Sequence, residues 1–218
     1  HKVFIKNILN CNHNSFVAEM EKGKIRIIGG RWRGKKILFP INPNLRPTPD
    51  RAKETVFNWL GNDLTGISCL DLFAGTGAMG IEALSRGAIR IDFVETEKIF
   101  AQNLKKSLES LEGKINAKIY NKDFYKWFEQ NSLERIYDLI FIDPPFHKDL
   151  IEDVFKCFKR KKIYSSDTIF YLESETSVNL NFLDEEFEIF REKITKNKCY
   201  RLIKVKTCLL YTSPSPRD

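Results

Sequence analysis

Long apolar runs are missing from this 218-residue chain. The longest, such as Leu139-Ile140-Phe141-Ile142, fall far short of the roughly 20 residues a bilayer-spanning helix needs, so no membrane span or membrane partner is expected. The N-terminal residues hold no continuous apolar stretch followed by a small-residue cleavage site, and secretion is not expected. Cysteines are few: Cys11, Cys69, Cys157, Cys199 and Cys208 are odd in number, and no two stand at C-x-x-C spacing. That excludes a fully paired disulfide framework and a thiolate metal knuckle, and it suits free thiols in a reducing cytoplasm. The three histidines, His1, His13 and His147, are too scattered to suggest a metal site.

Positive charge is present in excess and unevenly spread. The chain carries a formal +7, yet Glu21 to Lys53 alone holds ten basic and two acidic residues, net +8, leaving −1 for the rest. A localised basic excess is the footprint of a polyanion partner, the alternative being a solvated surface. Within it, Lys24–Ile28 and Lys36–Phe39 are β-prone runs separated by Gly29-Gly30 and Gly34, which reads as a β-hairpin. The hairpin carries Arg26, Arg31, Arg33, Lys35 and Lys36 with Trp32 among them. Cations can hold phosphates while an aromatic ring stacks on an unpaired base, so these residues are RNA-binding candidates. Equally, Trp32 could cover the edge of the core. Next, Thr48 can cap a helix with Pro49 at its first position. That helix runs from about Asp50 to Leu60, with Val56, Phe57 and Leu60 apolar, and Gly61 ends it.

The two ends look foreign to the body. Residues 1–19 lack periodicity and are rich in Asn, and Met20 reads as the natural start. The stretch 207–218 breaks off a strand pattern abruptly. Between them the expected organisation is a basic hairpin-and-helix segment over 20–61 and an α/β domain over 62–206.

The α/β portion alternates strands and helices. Ile67 to Phe73 reads as a strand running into Ala74-Gly75-Thr76-Gly77-Ala78-Met79-Gly80 and a helix to about Arg86. Gly75, Gly77 and Gly80 match the G-x-G-x-x-G spacing of dinucleotide folds, where glycine lets a ligand approach the helix N–H groups. A second strand, Arg90 to Val94, ends at Glu95, twenty residues past Gly75, where an acid can accept from ribose hydroxyls. A helix from Glu97 to about Leu111 follows, then a strand from Lys114 to Tyr120. Asp123 after it can accept from an adenine amine, with Phe124 flanking the ring; it can also cap the next helix. The strand Tyr137–Ile142 then ends on Asp143-Pro144-Pro145-Phe146. Neither proline can donate a ladder hydrogen bond, and each restricts the residue before it. An acid, free carbonyls and an aromatic ring held stiffly at a strand end suit a flat amino-bearing ring. Up to this point NAD and S-adenosyl-L-methionine (AdoMet) fit equally. Asp71, four residues before the first glycine, and the Asp143 loop favour AdoMet, whose sulfonium and ammonium are cationic. Such alternation predicts an open, mostly parallel sheet with ligands at the C-terminal strand ends. Asp71, Glu95, Asp123 and Asp143 would then share one edge.

With those residues in view the chain resembles the class I AdoMet-dependent methyltransferases, and among them the bacterial family that methylates guanine N2 in small-subunit (16S) ribosomal RNA. The match rests on Ile25-Arg-Ile-Ile-Gly-Gly-Arg-Trp-Arg-Gly34, Arg46-Pro-Thr-Pro-Asp-Arg51, Phe57-Asn-Trp-Leu60, Asp71-Leu-Phe-Ala-Gly-Thr-Gly77, Leu84-Ser-Arg-Gly-Ala88, Asp143-Pro-Pro-Phe146 and Glu173-Ser-Glu175. Asp-Pro-Pro-Phe is shared with DNA adenine-N6 enzymes, whereas the N-terminal block is more particular. The resemblance implies a Rossmann-like fold: a seven-stranded, mostly parallel sheet with an antiparallel last strand, helices on both faces and an N-terminal hairpin. Strands over Thr168–Leu172, Phe187–Ile194 and Cys199–Lys206 would supply its final part. It implies AdoMet held by Asp71, Phe73, Gly75, Gly77, Glu95, Asp123 and Phe124, with Arg46 and Thr48 folding over it. Asp143, Pro144, Pro145 and Phe146 would aim the amine. From the residues themselves, Arg51, His147 and Lys148 join the hairpin as candidates for meeting RNA, the alternatives being that Arg51 touches the cofactor or anchors the hairpin and that His147 and Lys148 begin a solvated helix. The substrate would be 16S rRNA in a 30S particle or assembly intermediate, and the enzyme a cytoplasmic monomer. A DNA adenine-N6 methyltransferase and a non-catalytic RNA-binding module remain the competing expectations.

Overall fold

The computed structural model describes residues 22–42, 48–130, 135–145, 150–183 and 186–206. The suspected foreign ends, 1–19 and 207–218, lie outside these residues, as do Arg46, Phe146, His147 and Lys148.

Among the described residues, nine strands and five α-helices run in the order β1 (Lys22–Arg26), β2 (Lys36–Pro40), α1 (Asp50–Leu60), β3 (Ser68–Asp71), α2 (Ala78–Ser85), β4 (Arg90–Val94), α3 (Lys98–Glu109), β5 (Ala117–Tyr120), α4 (Phe124–Gln130), β6 (Leu139–Ile142), α5 (Leu150–Arg160), β7 (Ile169–Glu175), β8 (Phe187–Ile194) and β9 (Lys198–Val205). Strands β3 to β9 form one seven-stranded sheet in the order β5-β4-β3-β6-β7-β9-β8. Neighbours from β5 to β7 are parallel, and β9 lies antiparallel between β7 and β8. This is the doubly wound class I methyltransferase architecture with its antiparallel last strand.

Side-chain alternation divides the sheet into two faces. Cys69, Phe93, Phe141, Tyr171 and Leu202 pack with residues of α1, α2, α3 and the hairpin; Leu70, Val94, Ile140, Leu172 and Ile203 pack with those of α4 and α5. Strands covered on both sides read as continuous apolar runs, as Leu139–Ile142 does. Cys69, Cys157 and Cys199 are buried free thiols. Among the described residues no helix is long and apolar enough to cross a membrane.

The hairpin β1–β2 pairs Lys24 with Leu38 and Arg26 with Lys36, turning through a 3-10 segment at Gly30–Trp32. Gly30 and Gly34 have positive φ, whereas Gly29 is extended. At Gly30 the backbone passes so close to α2 that a Cβ would sit 1.8 Å from the Ser85 carbonyl oxygen. Polar bonds complete the seam: Trp32 N donates to Ser85 Oγ (3.0 Å), Ser85 Oγ to the Gly29 carbonyl (2.6 Å), and Ile28 N to Glu82 Oε2 (2.9 Å). Glu82 also takes Arg86 Nε at 2.8 Å, a buried pair whose guanidinium lies over Phe57 of α1.

Three expectations from sequence need correction. Helix α1 begins one residue later than a Thr48 cap would place it: Pro49 is the N-cap, and Thr48 is buried. Proline has no side-chain acceptor, so the first turn is closed by its carbonyl, which accepts from Ala52 N (2.9 Å) and Lys53 N (3.1 Å), with Asp50 adding charge at the helix end. Lys53, counted in the basic excess, is fully buried; its ammonium donates to the Arg26 carbonyl and pairs with Asp50 at 3.1 Å, joining hairpin to helix. Strand β7 does not stop at Leu172 but continues through Glu173 and Ser174 to Glu175, because β9 supplies a partner for each.

Candidate functional site

Parallel winding brings every β-to-α turn to one edge of the sheet. Along it, in spatial order, stand Asp123 after β5, Glu95 after β4, Asp71 at the end of β3 and Asp143 after β6. The four acids expected at strand ends are therefore neighbours in a row.

The turn between β3 and α2 is shaped by Gly75 (φ 52°) and Gly77 (φ 76°), both left-handed. A Cβ on Gly77 would also lie 2.4 Å from Leu104 of α3, so a larger residue is opposed by conformation and by space alike. Gly77 is the N-cap of α2, and amides at this end face the strand edge. Asp71 is buried and its Oδ2 accepts from Gly80 N at 3.3 Å. Loss of water, opposed by the Gly80 amide and aided by the Glu95 charge, raises its carboxyl to about pKa 7. Glu95, also buried, takes Gly75 N on one oxygen (2.6 Å) and Glu97 N on the other (2.7 Å). Desolvation raises it too, and those amides oppose the rise. Two acceptor lone pairs per carboxylate oxygen leave Glu95 able to take further donors.

Asp123 caps α4: its Oδ1 accepts from Lys126 N at 2.9 Å, which holds its pKa below the usual carboxylate value. Phe124 is buried with its ring 6.1 Å from that of Phe73, giving the row an apolar floor between the β3 and β5 ends.

Asp143 is half-buried and Pro144 buried, while Pro145 is exposed. Desolvation, reinforced by the Glu173 carboxylate, opposed by the Lys198 ammonium and aided by Asp71, holds Asp143 well above the ordinary carboxylate range. Glu173 was legible only as part of a sequence block, and Lys198 not at all. The available signal was an acid directly after the apolar run Ile169–Leu172, the same pattern that marked Asp143.

The basic candidates divide. Trp32 is 3% exposed and its Nε1 donates to the Glu112 carbonyl at 3.0 Å. It belongs to the core, and no face is left for a base. Lys35 pairs with Glu112 at 2.9 Å. Glu112 follows α3, which starts at the acid edge and returns to the opposite one, so the hairpin turn with Arg31, Trp32, Arg33 and Lys35 sits far from Asp143. Arg31 stacks over Trp32 at 4.0 Å. Strand β2 runs from that turn back along α3, where Asn103 Nδ2 donates to the Leu38 carbonyl at 2.8 Å. Its solvent side and that of β1 expose Lys22, Lys24, Arg26 and Lys36, none paired with an acid among the described residues. Arg51 is exposed on the first turn of α1. Lys22 and Lys24 were not singled out in sequence, because strand phase decides which cations face outward.

A row of acids beside a left-handed glycine turn, with Glu95, Asp71 and Asp143 desolvated and Asp123 open to solvent, suits a cationic ligand with donor hydroxyls, and a carboxylate beside proline carbonyls suits an amine. Comparisons with known proteins agree on the kind of molecule. The family described as Conserved hypothetical protein 95 matches residues 25–204. The chain is 38% identical over 180 residues to Ribosomal RNA small subunit methyltransferase D of Escherichia coli K12, covering 83% of this chain and 89% of that protein. The solved E. coli protein yhhF superposes with TM-score 0.75 at 36% identity, over 84% of this chain and 99% of that one. At 24% identity, where the likeness concerns fold alone, the T. thermophilus 16S rRNA N2 G1207 methyltransferase in complex with AdoMet and guanosine gives TM-score 0.64, over 86% of this chain and 50% of that one.

Proposed function

The chain belongs to the Conserved hypothetical protein 95 family, and from that premise we propose that it methylates the exocyclic N2 amine of a guanine in small-subunit rRNA with AdoMet as donor. The observation that carries this reading is the unbroken row Asp123, Glu95, Asp71, Asp143 along the strand ends beside the Gly75–Gly77 turn. The names of the relatives support an rRNA substrate; guanine N2, and a ribosomal particle as the form presented, are the finer part of the proposal.

AdoMet, when bound, supplies an electrophilic methyl group on a cationic sulfur. Asp71 and the Gly75–Gly77 turn would hold its charged end, Glu95 its ribose hydroxyls, and Asp123 its adenine amine with Phe73 and Phe124 against the ring. The fit rests on the donor set: the Asp71 carboxyl, raised by desolvation, regains its charge beside a cation, and Glu95 and Asp123 offer acceptors to hydroxyls and an amine. Thr48 and Arg46 would close over it.

Asp143 and the Pro144 carbonyl accept the two N2 protons, which turns the nitrogen lone pair toward the methyl group, and Phe146 stacks on the base. Such alignment can supply up to about 7–11 kcal/mol of the barrier. As the N–C bond forms, the amine becomes acidic and Asp143 takes the released proton. Its raised proton affinity suits that role. The base must be unstacked to reach this edge. RNA is held by Arg26, Lys36, Lys22 and Lys24 on the hairpin, with Arg51, His147 and Lys148 as further cationic candidates.

The test is tritium transfer from labelled AdoMet into unmodified 30S particles, with the product nucleotide mapped. Asp143→Ala should keep AdoMet affinity within a few-fold and lose transfer by at least about 100-fold. Transfer into duplex DNA adenine instead, or near wild-type transfer by Asp143→Ala, would reject the proposal.

A further inference from the structure

Asp143 does not stand alone on its face of the sheet. Ile142 of β6 pairs with Leu172 of β7, so Asp143 and Glu173 are the next residues on adjacent parallel strands, whose axes lie about 4.8 Å apart. Both continue the phase of Phe141 and Tyr171, toward α1. Glu173 is fully buried. One of its oxygens accepts the Tyr171 hydroxyl at 2.9 Å and the other the Lys198 ammonium. Lys198 reaches it diagonally across the β7–β9 ladder, where Glu173 faces Tyr200 and Glu175 faces Lys198. With no exposed surface, Glu173 cannot itself meet a base.

Two adjacent carboxylates destabilise each other's ionised form, and a cation opposes this. Burying the pair costs desolvation that an apolar cross-strand contact would avoid, so strand cohesion alone does not explain it. We propose that Glu173 and Lys198 are positioning residues that act in opposite senses on the charge of Asp143. The Lys198 ammonium keeps Asp143 ionised to receive the amine, and the Glu173 carboxylate makes it hold the proton that the amine gives up. The groups facing Asp143 among the described residues are Asp71 from β3, Tyr171 and Glu173 from β7, and Lys198 and Tyr200 from β9. Of these only Lys198 is cationic. Burial and the Glu173 and Asp143 charges push both tyrosines above their ordinary range, so they stay neutral here.

The inference rests on the proposed function only in the use made of the proton, and the two can be tested apart. The full chain, labelled with 13Cγ-aspartate and without RNA, is titrated by NMR, with the Asp143 signal assigned from Asp143→Asn. Glu173→Gln, which keeps an oxygen for Tyr171 and Lys198, should lower the Asp143 midpoint by at least about one pH unit, and Lys198→Met should raise it by a similar amount. Lys198→Arg should restore the wild-type midpoint. Midpoints unchanged within a few tenths, or lowered in both variants as loosened packing and rehydration would lower them, overturn the inference. If Glu173→Gln fails to fold, the Lys198→Met and Lys198→Arg pair decides alone. In methyl transfer to 30S particles, the acidic limb of kcat should follow the midpoints: to lower pH in Glu173→Gln and higher in Lys198→Met. Midpoints that move while the limb stays uphold the charge coupling and reject Asp143 as proton acceptor.

Discussion

Asp71 is raised to about pKa 7 by desolvation, so near neutral pH it is divided between its two forms. The unfolded chain would ionise it near 3.8. Between those values the folded state binds the extra proton, so the stabilisation linked to Asp71 is complete below about pH 4 and is lost as pH rises through 7. Asp143 and Glu95 are raised by the same cause and act in the same direction. The ligand-free protein should therefore lose stability between pH 5 and 8. Asp71→Asn should flatten part of that decline, read as urea midpoints across the range, while still accepting from Gly80 N. Single residues were legible in sequence where a strand ended on an acid, as at Asp71, Glu95 and Asp143. Trp32 and Lys53 were not, because their partners come from elsewhere in the fold: Trp32 donates to Glu112, 80 residues away, and Lys53 to the Arg26 carbonyl. Composition shows a basic, aromatic stretch and cannot show which of its members the fold will bury.

The hairpin illustrates the same division for a whole element. Its existence followed from two β-prone runs around glycines, and β1–β2 are found within two residues of the expected bounds. Its attitude did not follow, since that depends on Gly30 lying against the end of α2. Once docked, alternate residues face water: Lys22, Lys24 and Arg26 on one strand and Lys36 on the other, with Arg26 directly opposite Lys36. Like charges paired across a ladder are destabilising, and a phosphate backbone would relieve them. Replacing Lys24, Arg26 and Lys36 together by Gln should leave AdoMet affinity unchanged. RNA affinity should fall, and the slope of log K against log salt should shrink by about 2, at about 0.7 per lost phosphate contact on single strands. An unchanged slope would remove the hairpin from the interface. Lys35, already paired with Glu112, should contribute less than any of the three. The end of β7 escaped the sequence reading for a comparable reason. Glu173 and Ser174 look like a loop until β9 pairs with them.

For the molecule as a whole, strand–helix alternation was enough to give the fold class, because right-handed parallel crossovers leave few arrangements. The insertion of β9 between β7 and β8 is a non-local pairing that the pattern did not give; the resemblance supplied only an antiparallel last strand. Sequence also suggested dividing the chain near residue 61. Ile27, Trp32, Ile37, Val56 and Phe57 share one apolar cluster with Cys69, Phe93, Phe141 and Tyr171 of the sheet. The Phe57 and Phe141 rings lie 6.2 Å apart. Phe57→Ala should cost about 3–5 kcal/mol, a large share of the 5–15 typical of a domain. Unfolding followed by Trp fluorescence and by circular dichroism should remain one coincident transition at lower denaturant. Two separate transitions would instead establish the hairpin and α1 as an independent unit.

The place of β9 also bears on when the enzyme becomes competent during its own synthesis. Translation delivers the glycine turn, the row of acids and Asp143-Pro144-Pro145 early, and β8 follows before the strand it must pair with exists. Lys198 emerges only after residue 197 has been made. Until then Glu173 and Asp143 face each other without that cation, and β8 has no ladder from β9. A nascent chain halted after Thr195 would carry most of the residues named here in an unfinished frame, lacking the strand that fills the gap beside β7.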